Sequence, residues 1–443
     1  MSGQPTIKAE SAISDTTGVA GFLRSIISVG RELLSGRAAD TTVSAAGLTE
    51  ECHQLLHHRG EASGLALADK VNKTYLHLDH AQKLLFFQSL NQEFAVDPTQ
   101  VIAAANHYSE RPNHDTLIQV TKAVEAPRVR LFRRMNMAPG GTTVLVKLRG
   151  DLLKVLPQHP ELKVVDADLK HQFISWFNKG FLELRAIDWN SPALVLERII
   201  EYESVHAING WDDLRSRLRG DRLCYAFFHP ALPNDPLVFV EIALTKGIPT
   251  AISPLLDLSR ETDANAEFDT VVFYSISNCH PGLAGVSFGN FLIKQVVEEI
   301  SKRHAQAKTY VTLSPVPGFY RWLSECAAEH GVDAAEIQAM AESQSENAPS
   351  ASRDVALKLC AHYLINEKSG HLAMDPVARF HLGNGARLAG IHWAADLSEK
   401  GLKQSAGIMV NYHYDISAIE RNHDAYFDRG EIATTKGINR LLS

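Results

Sequence analysis

The stretch from Asp269 to Ile300 limits this chain more than any other. Its opening, Asp269 to Ile276, mixes β-branched and aromatic residues and reads as a buried strand. Gly282, Gly285 and Gly289 follow, and then Leu292, Ile293, Val296, Val297 and Ile300 share one helical face. Glycines let a backbone approach an anion closely, and a helix start turns its free N–H groups and positive dipole end toward it. The spacing G-x-x-G-x-x-x-G has neither the closing Gly-Lys-Ser/Thr of a Walker A loop nor the G-x-G-x-x-G of a dinucleotide fold. A phosphate cradle and a plain tight turn both satisfy it.

Upstream, residues 1–175 read almost wholly as helix. Val19 to Leu34, Leu78 to Phe94, Asp115 to Val124, Arg128 to Met135 and Thr142 to Val155 carry helical apolar spacing. Asp97-Pro98-Thr99-Gln100 reads as a cap with a first-turn proline. We expect an all-helical bundle without chemistry of its own, in which His57, His58, Arg128, Arg130, Arg133 and Arg134 lie on solvated faces. Beyond Trp176 the character changes. Ser191-Pro192 is expected to cap a helix from Ala193 to Tyr202. Strands are expected at 223–228, 237–244, 271–277, 309–313, 387–393 and 407–414, and helices at 319–330 and 354–365. Ser343 to Ser352 reads as an exposed loop. The fold class is therefore multidomain: a helical domain over 1–175, then an α+β domain with a mixed sheet over 176–443.

Bulk properties exclude several function classes. The formal net charge of −7 argues against a general nucleic-acid binder. Five cysteines (Cys52, Cys224, Cys279, Cys326, Cys360) lie far apart with no C-x-x-C pair, so neither a disulfide framework nor a zinc site is expected. Residues 1–15 lack the apolar core of a signal peptide, and no apolar run approaches the roughly 18 residues that span a bilayer. A soluble, cytoplasmic protein is expected, without a membrane or nucleic-acid partner.

Four residues are candidates for chemistry. Ser314 ends a predicted strand before the stiff Pro315-Val316-Pro317-Gly318, which either holds its hydroxyl at the rim of the sheet or makes it a helix cap. His381 closes a short helix before Gly383-Asn384-Gly385, where the helix dipole favours a cationic imidazole and hence a proton donor. Tyr412 and Tyr414 share a strand face by period-two alternation, with Asn411 on the other; either phenol can reach a site. His206, His229, His280, His392 and His413 lie in the same half and read as bland.

Taken together, several segments resemble the malonyl-CoA decarboxylase family: Tyr202-Glu-Ser-Val-His206, Phe273 to Ser277, Gly282-Leu-x-Gly-Val286, Phe291 to Lys294, Leu313-Ser-Pro-Val-Pro-Gly-Phe319, Asp375 to Ala378, Phe380-His-Leu-x-Asn-Gly-Ala386 and Asn411-Tyr-x-Tyr414. They run in the family's order. The resemblance implies a helical domain that matters for oligomerisation, giving a dimer or tetramer, and a catalytic domain like the GCN5-related N-acetyltransferases (GNAT). It implies malonyl-CoA as substrate, acetyl-CoA and CO2 as products, and no cofactor or metal. By position it places the catalytic serine on Ser314, the catalytic histidine on His381 and a site tyrosine on Tyr414. The loop on the coenzyme A pyrophosphate falls on Ala284, Gly285, Val286, Ser287, Phe288, Gly289 and Asn290. Animal members carry glutamate where this chain has Ser287, so no role of that acid is carried over. An acyltransferase on the same fold and a non-catalytic acyl-CoA sensor are the alternatives.

Overall fold

The computed structural model describes residues 43–260, 267–286, 292–326, 333, 335, 337, 339 and 350–442. The helix expected at 19–34, Ser287 to Asn290 of the glycine loop, the end of the helix expected at 319–330, and 343–349 lie outside the described residues. Two compact units emerge, one of residues 1–175 with 280–285, the other of 176–279 with 286–443.

In the first unit, eight α-helices are described: α1 (Ala45–His57), α2 (Glu61–His77), α3 (His80–Gln92), α4 (Pro98–Glu110), α5 (His114–Val124), α6 (Pro127–Met137), α7 (Gly141–Val155) and α8 (Lys163–Trp176). The expected cap of α4 is present, Asp97 Oδ1 accepting from Thr99 N at 2.9 Å with Pro98 in the first turn. Helix α7 is the axis of the unit, burying Val144, Leu145, Leu148, Leu152 and Val155. The solvated basic face fits Arg130 and Arg133 but not Arg128 or Arg134. Arg128 is buried with Nε on Asp168 at 2.7 Å, and Arg134 Nη1 donates to the carbonyls of Leu55 and His58. A guanidinium has enough donors to close helix-end carbonyls, which is why these arginines turn inward.

The segment 280–285 belongs to this unit, and its packing decides the role of one loop glycine. A Cβ on Gly282 would sit 1.8 Å from Val146 O, so only glycine allows the backbone to lie against α7. Buried Arg149 fastens the segment, with Nη1 on Gly282 O at 2.7 Å and Ala284 O at 2.9 Å and Nε on Asp166 at 2.7 Å.

The second unit is an α+β domain built on a mixed eight-stranded sheet. Its strands are β1 (Glu183–Ile187), β2 (Arg222–Phe228), β3 (Val238–Thr245), β4 (Thr270–Asn278), β5 (Thr309–Thr312), β6 (Ser314–Pro315), β9 (Arg387–His392) and β10 (Met409–His413); β7 (Lys368–Ser369) and β8 (Leu372–Ala373) form a separate hairpin. β4 and β5 are parallel and every other pair is antiparallel. Helix α9 (Ala193–Tyr202) starts at Pro192 without a side-chain cap; Ser191 Oγ instead accepts from Asp188 N at 3.1 Å, contrary to the expected serine cap. Helix α10 (Trp211–Arg217), α11 (Ser253–Leu256), α12 (Leu292–Arg303) and α13 (Phe319–Cys326) follow. α14 (Ser350–Ile365) begins inside the stretch expected to be loop, because Ser350 to Arg353 already continue its helical turn. α15 (Pro376–Gly383), α16 (Glu399–Ser405), α17 (Ile419–Arg429) and α18 (Lys436–Leu442) complete the unit.

One face of the sheet buries Ala243, Val272, Tyr274, Val311, Leu313 and Met409 in a single core cluster. Alternation therefore turns Thr312 and Ser314 to the other face, as it does Tyr412. β5 and β6 are two pieces of one strand lying along the same edge of β10: His413 faces Val311, and Val410 faces Ser314. Among the described residues no helix is long and apolar enough to cross a membrane.

Overpacking of this kind typically costs about 1–3 kcal/mol. Gly282→Ala is accordingly expected to lower the urea midpoint of the full chain without changing the slope of the transition. Gly64→Ala, inside α2 with no atom nearer than 3.7 Å to its Cβ, should be neutral or slightly stabilising. Equal midpoints for Gly282→Ala and wild type would contradict the packing.

Candidate active site

Helix α15 carries His381 to the sheet. Asp375 caps it, Oδ1 accepting from Val377 N and Ala378 N, both at 2.9 Å, and Pro376 supplies the fixed φ of a first turn. The other oxygen of Asp375 accepts from Gly318 N at 3.3 Å, tying the cap to the turn that follows Ser314. At the far end, Ala386 N returns to His381 O at 3.1 Å, and Gly385 lies at φ +80° where a Cβ would strike Ile419 O. Both ends of this eight-residue helix are thus held, and the histidine side chain has little freedom.

The structure brings Ser314, His381 and Tyr414 together. Ser314 Oγ and His381 Nε2 are 3.1 Å apart, and His381 Nδ1 lies 2.8 Å from Tyr414 Oη. Tyr412 stacks on the imidazole with ring centroids 4.7 Å apart. Ser314 is not a helix cap, since α13 starts five residues later at Phe319. Its Oγ donates instead to Thr312 Oγ1 at 2.9 Å. With that proton spent, the bond to His381 needs Nε2–H as donor, and a neutral ring then accepts at Nδ1 from the Tyr414 hydroxyl. The hydrogen bonds run one way, from Tyr414 through His381 and Ser314 to Thr312.

Burial sets the charge of this cluster. Ser314, His381, Tyr412 and Tyr414 are all nearly inaccessible to solvent. Desolvation pulls the imidazole down from 6.5 to about 3 and pushes the Tyr414 phenol well above its ordinary value. The cationic histidine expected from the helix terminus is therefore overturned. A dipole effect of roughly 0.3–1 kcal/mol cannot compete with complete loss of water.

Across the sheet lies a second polar cluster, which sequence reasoning did not find. Glu203 accepts from Ser275 Oγ at 2.8 Å, Ser277 Oγ at 3.2 Å and the backbone of Val205 and His206 at 2.8 and 2.7 Å. Arg217 bridges Asp213 and Glu241, each at 2.9 Å, while burial pushes Glu241 up to about 8. Ser275 and Ser277 oppose Glu241 and Phe239 in the ladder, which puts the cluster on the core face, away from Ser314. His206 sits here, lowered to about 4 by burial. His229 bonds Trp176 O at 3.0 Å, and His392 bonds Asn411 Oδ1; both are structural contacts. Among the described residues no group of acidic, histidine or cysteine side chains could hold a metal. Thr312 was also missed, although Thr-x-Ser in a strand places two hydroxyls on one face.

Comparison with known proteins adds an independent finding. The family model of the malonyl-CoA decarboxylase C-terminal domain matches residues 180–443, and that of the N-terminal domain matches 94–177. The mitochondrial malonyl-CoA decarboxylase of Anser anser anser is 35% identical over 351 residues, 72% of this chain and 70% of its own length. That of Mus musculus is 36% identical over 351 residues, 72% and 71% respectively. Crystal structures of malonyl-CoA decarboxylase from Rhodopseudomonas palustris (45% identity, TM-score 0.84, 90% of this chain and 99% of that one) and Agrobacterium vitis (43%, 0.82, 90% and 100%) are similar in fold.

The buried imidazole also makes a prediction about stability. Between its folded value of about 3 and its unfolded value of 6.5, the unfolded chain binds the extra proton, so stability falls as pH drops through that window. From pH 7 to pH 5 the contribution lost is about 2 kcal/mol. His381→Asn is expected to flatten the fall of the urea-derived stability over this range by that amount. An undiminished slope in the variant would show that His381 is not held neutral.

Proposed function

This chain belongs to the malonyl-CoA decarboxylase family, and we propose that it converts malonyl-CoA to acetyl-CoA and CO2 at Ser314, His381 and Tyr414. The observation that carries this reading is the buried one-way chain of hydrogen bonds through those three residues. Loss of CO2 leaves the electron pair of the broken bond on the thioester, whose carbonyl is itself the electron sink. The protein then has to hold a carboxylate away from water, stabilise the enolate and supply one proton to carbon.

In this account the Ser314 hydroxyl turns from Thr312 to the malonyl carboxylate and orients it in the dry site. As the enolate carbon takes the proton of His381 Nε2, the Tyr414 hydroxyl refills Nδ1. The imidazole changes tautomer and stays neutral, as burial of the ring favours. The negative charge of the enolate passes to the Tyr414 oxygen, which even with its raised pKa is a weaker base than the enolate carbon it replaces. Tyr414 recovers its proton from water after acetyl-CoA leaves, so one proton is consumed per turnover. The alternative, Ser314 as proton acceptor from substrate, is less well supported, because its oxygen already accepts from His381.

The coenzyme A pyrophosphate is assigned to Ala284, Gly285, Val286, Ser287, Phe288, Gly289 and Asn290. Gly285 supports this at the described end. It lies at φ +68°, and the Lys170 ammonium is 3.1 Å from where its Cβ would be, leaving bare backbone beside a positive charge. Residues 1–175 are assigned to assembly into a dimer or tetramer.

Purified protein is expected to release CO2 from malonyl-CoA. An oxyanion donor is worth roughly 2.7–4 kcal/mol, so Ser314→Ala and His381→Asn should each lose about a hundredfold or more in kcat while still binding acetyl-CoA. Turnover within threefold of wild type in either variant removes that residue from the mechanism. Acyl-amine formation from acetyl-CoA would instead mark an acyltransferase, and stoichiometric binding without turnover a sensor. Lys170→Ala should raise KM several-fold with kcat kept; an unchanged KM would contradict the assignment of the loop.

A further inference from the structure

The register between the broken strand and β10 singles out one residue. Met409↔Pro315, Val410↔Ser314 and His413↔Val311 keep a single register, so Tyr412 stands opposite Thr312. Tyr414 N donates to Tyr310 O at 2.8 Å, which makes the even-numbered pairs the hydrogen-bonded ones. At the 412/312 pair the ordinary ladder bond is replaced. Tyr412 N donates to the side chain of Thr312, at 3.1 Å from Oγ1, and Thr312 O is taken by Asn411 Nδ2 at 2.7 Å. The ladder of β9 and β10 also shifts register between Asn411 and Tyr412. The strand therefore opens immediately before Ser314, and a threonine hydroxyl, fully buried, occupies the opening.

We propose that Thr312 is a positioning residue whose hydroxyl oxygen fixes the proton order of the Ser314–His381–Tyr414 chain. The proposal rests on the decarboxylase reading for its consequence but not for its geometry. Both lone pairs of Thr312 Oγ1 are in use, one by Tyr412 N–H and one by Ser314 Oγ–H. While Ser314 donates to Thr312 it cannot donate to His381, so the ring keeps its proton on Nε2, facing the serine. Without the hydroxyl of Thr312, Ser314 turns its proton onto Nε2. The imidazole must then carry its own proton on Nδ1 and donate to Tyr414, and the chain runs backward, with no ring proton available on the serine side. A backbone amide bond locks one end of this arrangement, which a freely rotating hydroxyl could not do alone.

The test uses the full chain labelled with 15N-histidine, in wild type, Thr312→Val and Thr312→Ser. The His381 signals are assigned by their loss in His381→Asn. Long-range 1H–15N spectra report the tautomer directly, whether or not the protein turns over. Wild type and Thr312→Ser are expected to show Nε2–H, and Thr312→Val to show Nδ1–H. In CO2-release assays Thr312→Val should lose ten- to a hundredfold in kcat with KM within threefold, and Thr312→Ser should stay within threefold in both. Retention of Nε2–H in Thr312→Val would overturn the proposal, as would a Thr312→Ser loss equal to that of Thr312→Val. Should Thr312→Val prove insoluble, Thr312→Ala removes the same oxygen without adding bulk and is judged by the same spectra. The tautomer switch in Thr312→Val, together with a wild type that releases no CO2, would uphold the role of Thr312 and reject the decarboxylase reading.

Discussion

An imidazole stripped of water and, among the described residues, left without a carboxylate partner is the condition on which the rest of the site depends. Among the described residues the ring of His381 is hydrogen bonded only to hydroxyls, from Ser314 and Tyr414, and is covered by the ring of Tyr412. No described residue around it compensates a positive charge, so the ring stays neutral and its single proton has to be shared by direction rather than by titration. Asp375 illustrates the restraint. It is a buried acid nearby in the chain, yet it spends its oxygens on the N-terminus of α15 and on Gly318, not on the histidine. The helix is thereby aimed while the ring is left uncharged. A carboxylate against Nδ1 would instead draw the ring toward the imidazolium form.

Decarboxylation of a β-carboxy thioester suits such a site. The substrate brings the carboxylate and the electron sink, and a low-polarity enclosure favours expulsion of CO2 over retention of a charged carboxylate. The cluster of Glu203, Glu241 and Arg217 on the opposite face keeps formal charge away from the reacting side. There it pins residues 203 to 207 under β4 through backbone and serine contacts.

Much of the architecture was legible in the residues, for physical reasons. Apolar spacing in 78–155 and the β-branched and aromatic runs at 223–228 and 309–313 report burial directly, and the elements lie within a few residues of where they were expected. Ser314 and His381 each stood out locally, but that they meet across 67 positions was legible only through the family resemblance, since neither spacing nor composition says that two distant segments meet. What failed was local reasoning about tertiary electrostatics. The dipole at the end of α15 was visible in Phe380 to Gly385, but the loss of water around the ring comes from β5, β6 and β10. Arg128 and Arg134 misled in the same way: their length lets them reach carbonyls of other helices. Gly282 shows a third case, in which a residue singled out for an anion is required by the close approach of α7.

Transfer of one proton from an enclosed histidine to carbon is the step on which the proposed reaction turns. It is tested most directly by incubating the enzyme with carboxyl-13C malonyl-CoA in D2O and weighing both products by mass spectrometry. Labelled CO2 and acetyl-CoA carrying a single deuterium on its methyl carbon are expected, in equal amounts. Acetyl-CoA bearing two or three deuteriums would mean an enolate open to solvent exchange, and recovery of unchanged malonyl-CoA would mean that this constellation does other chemistry.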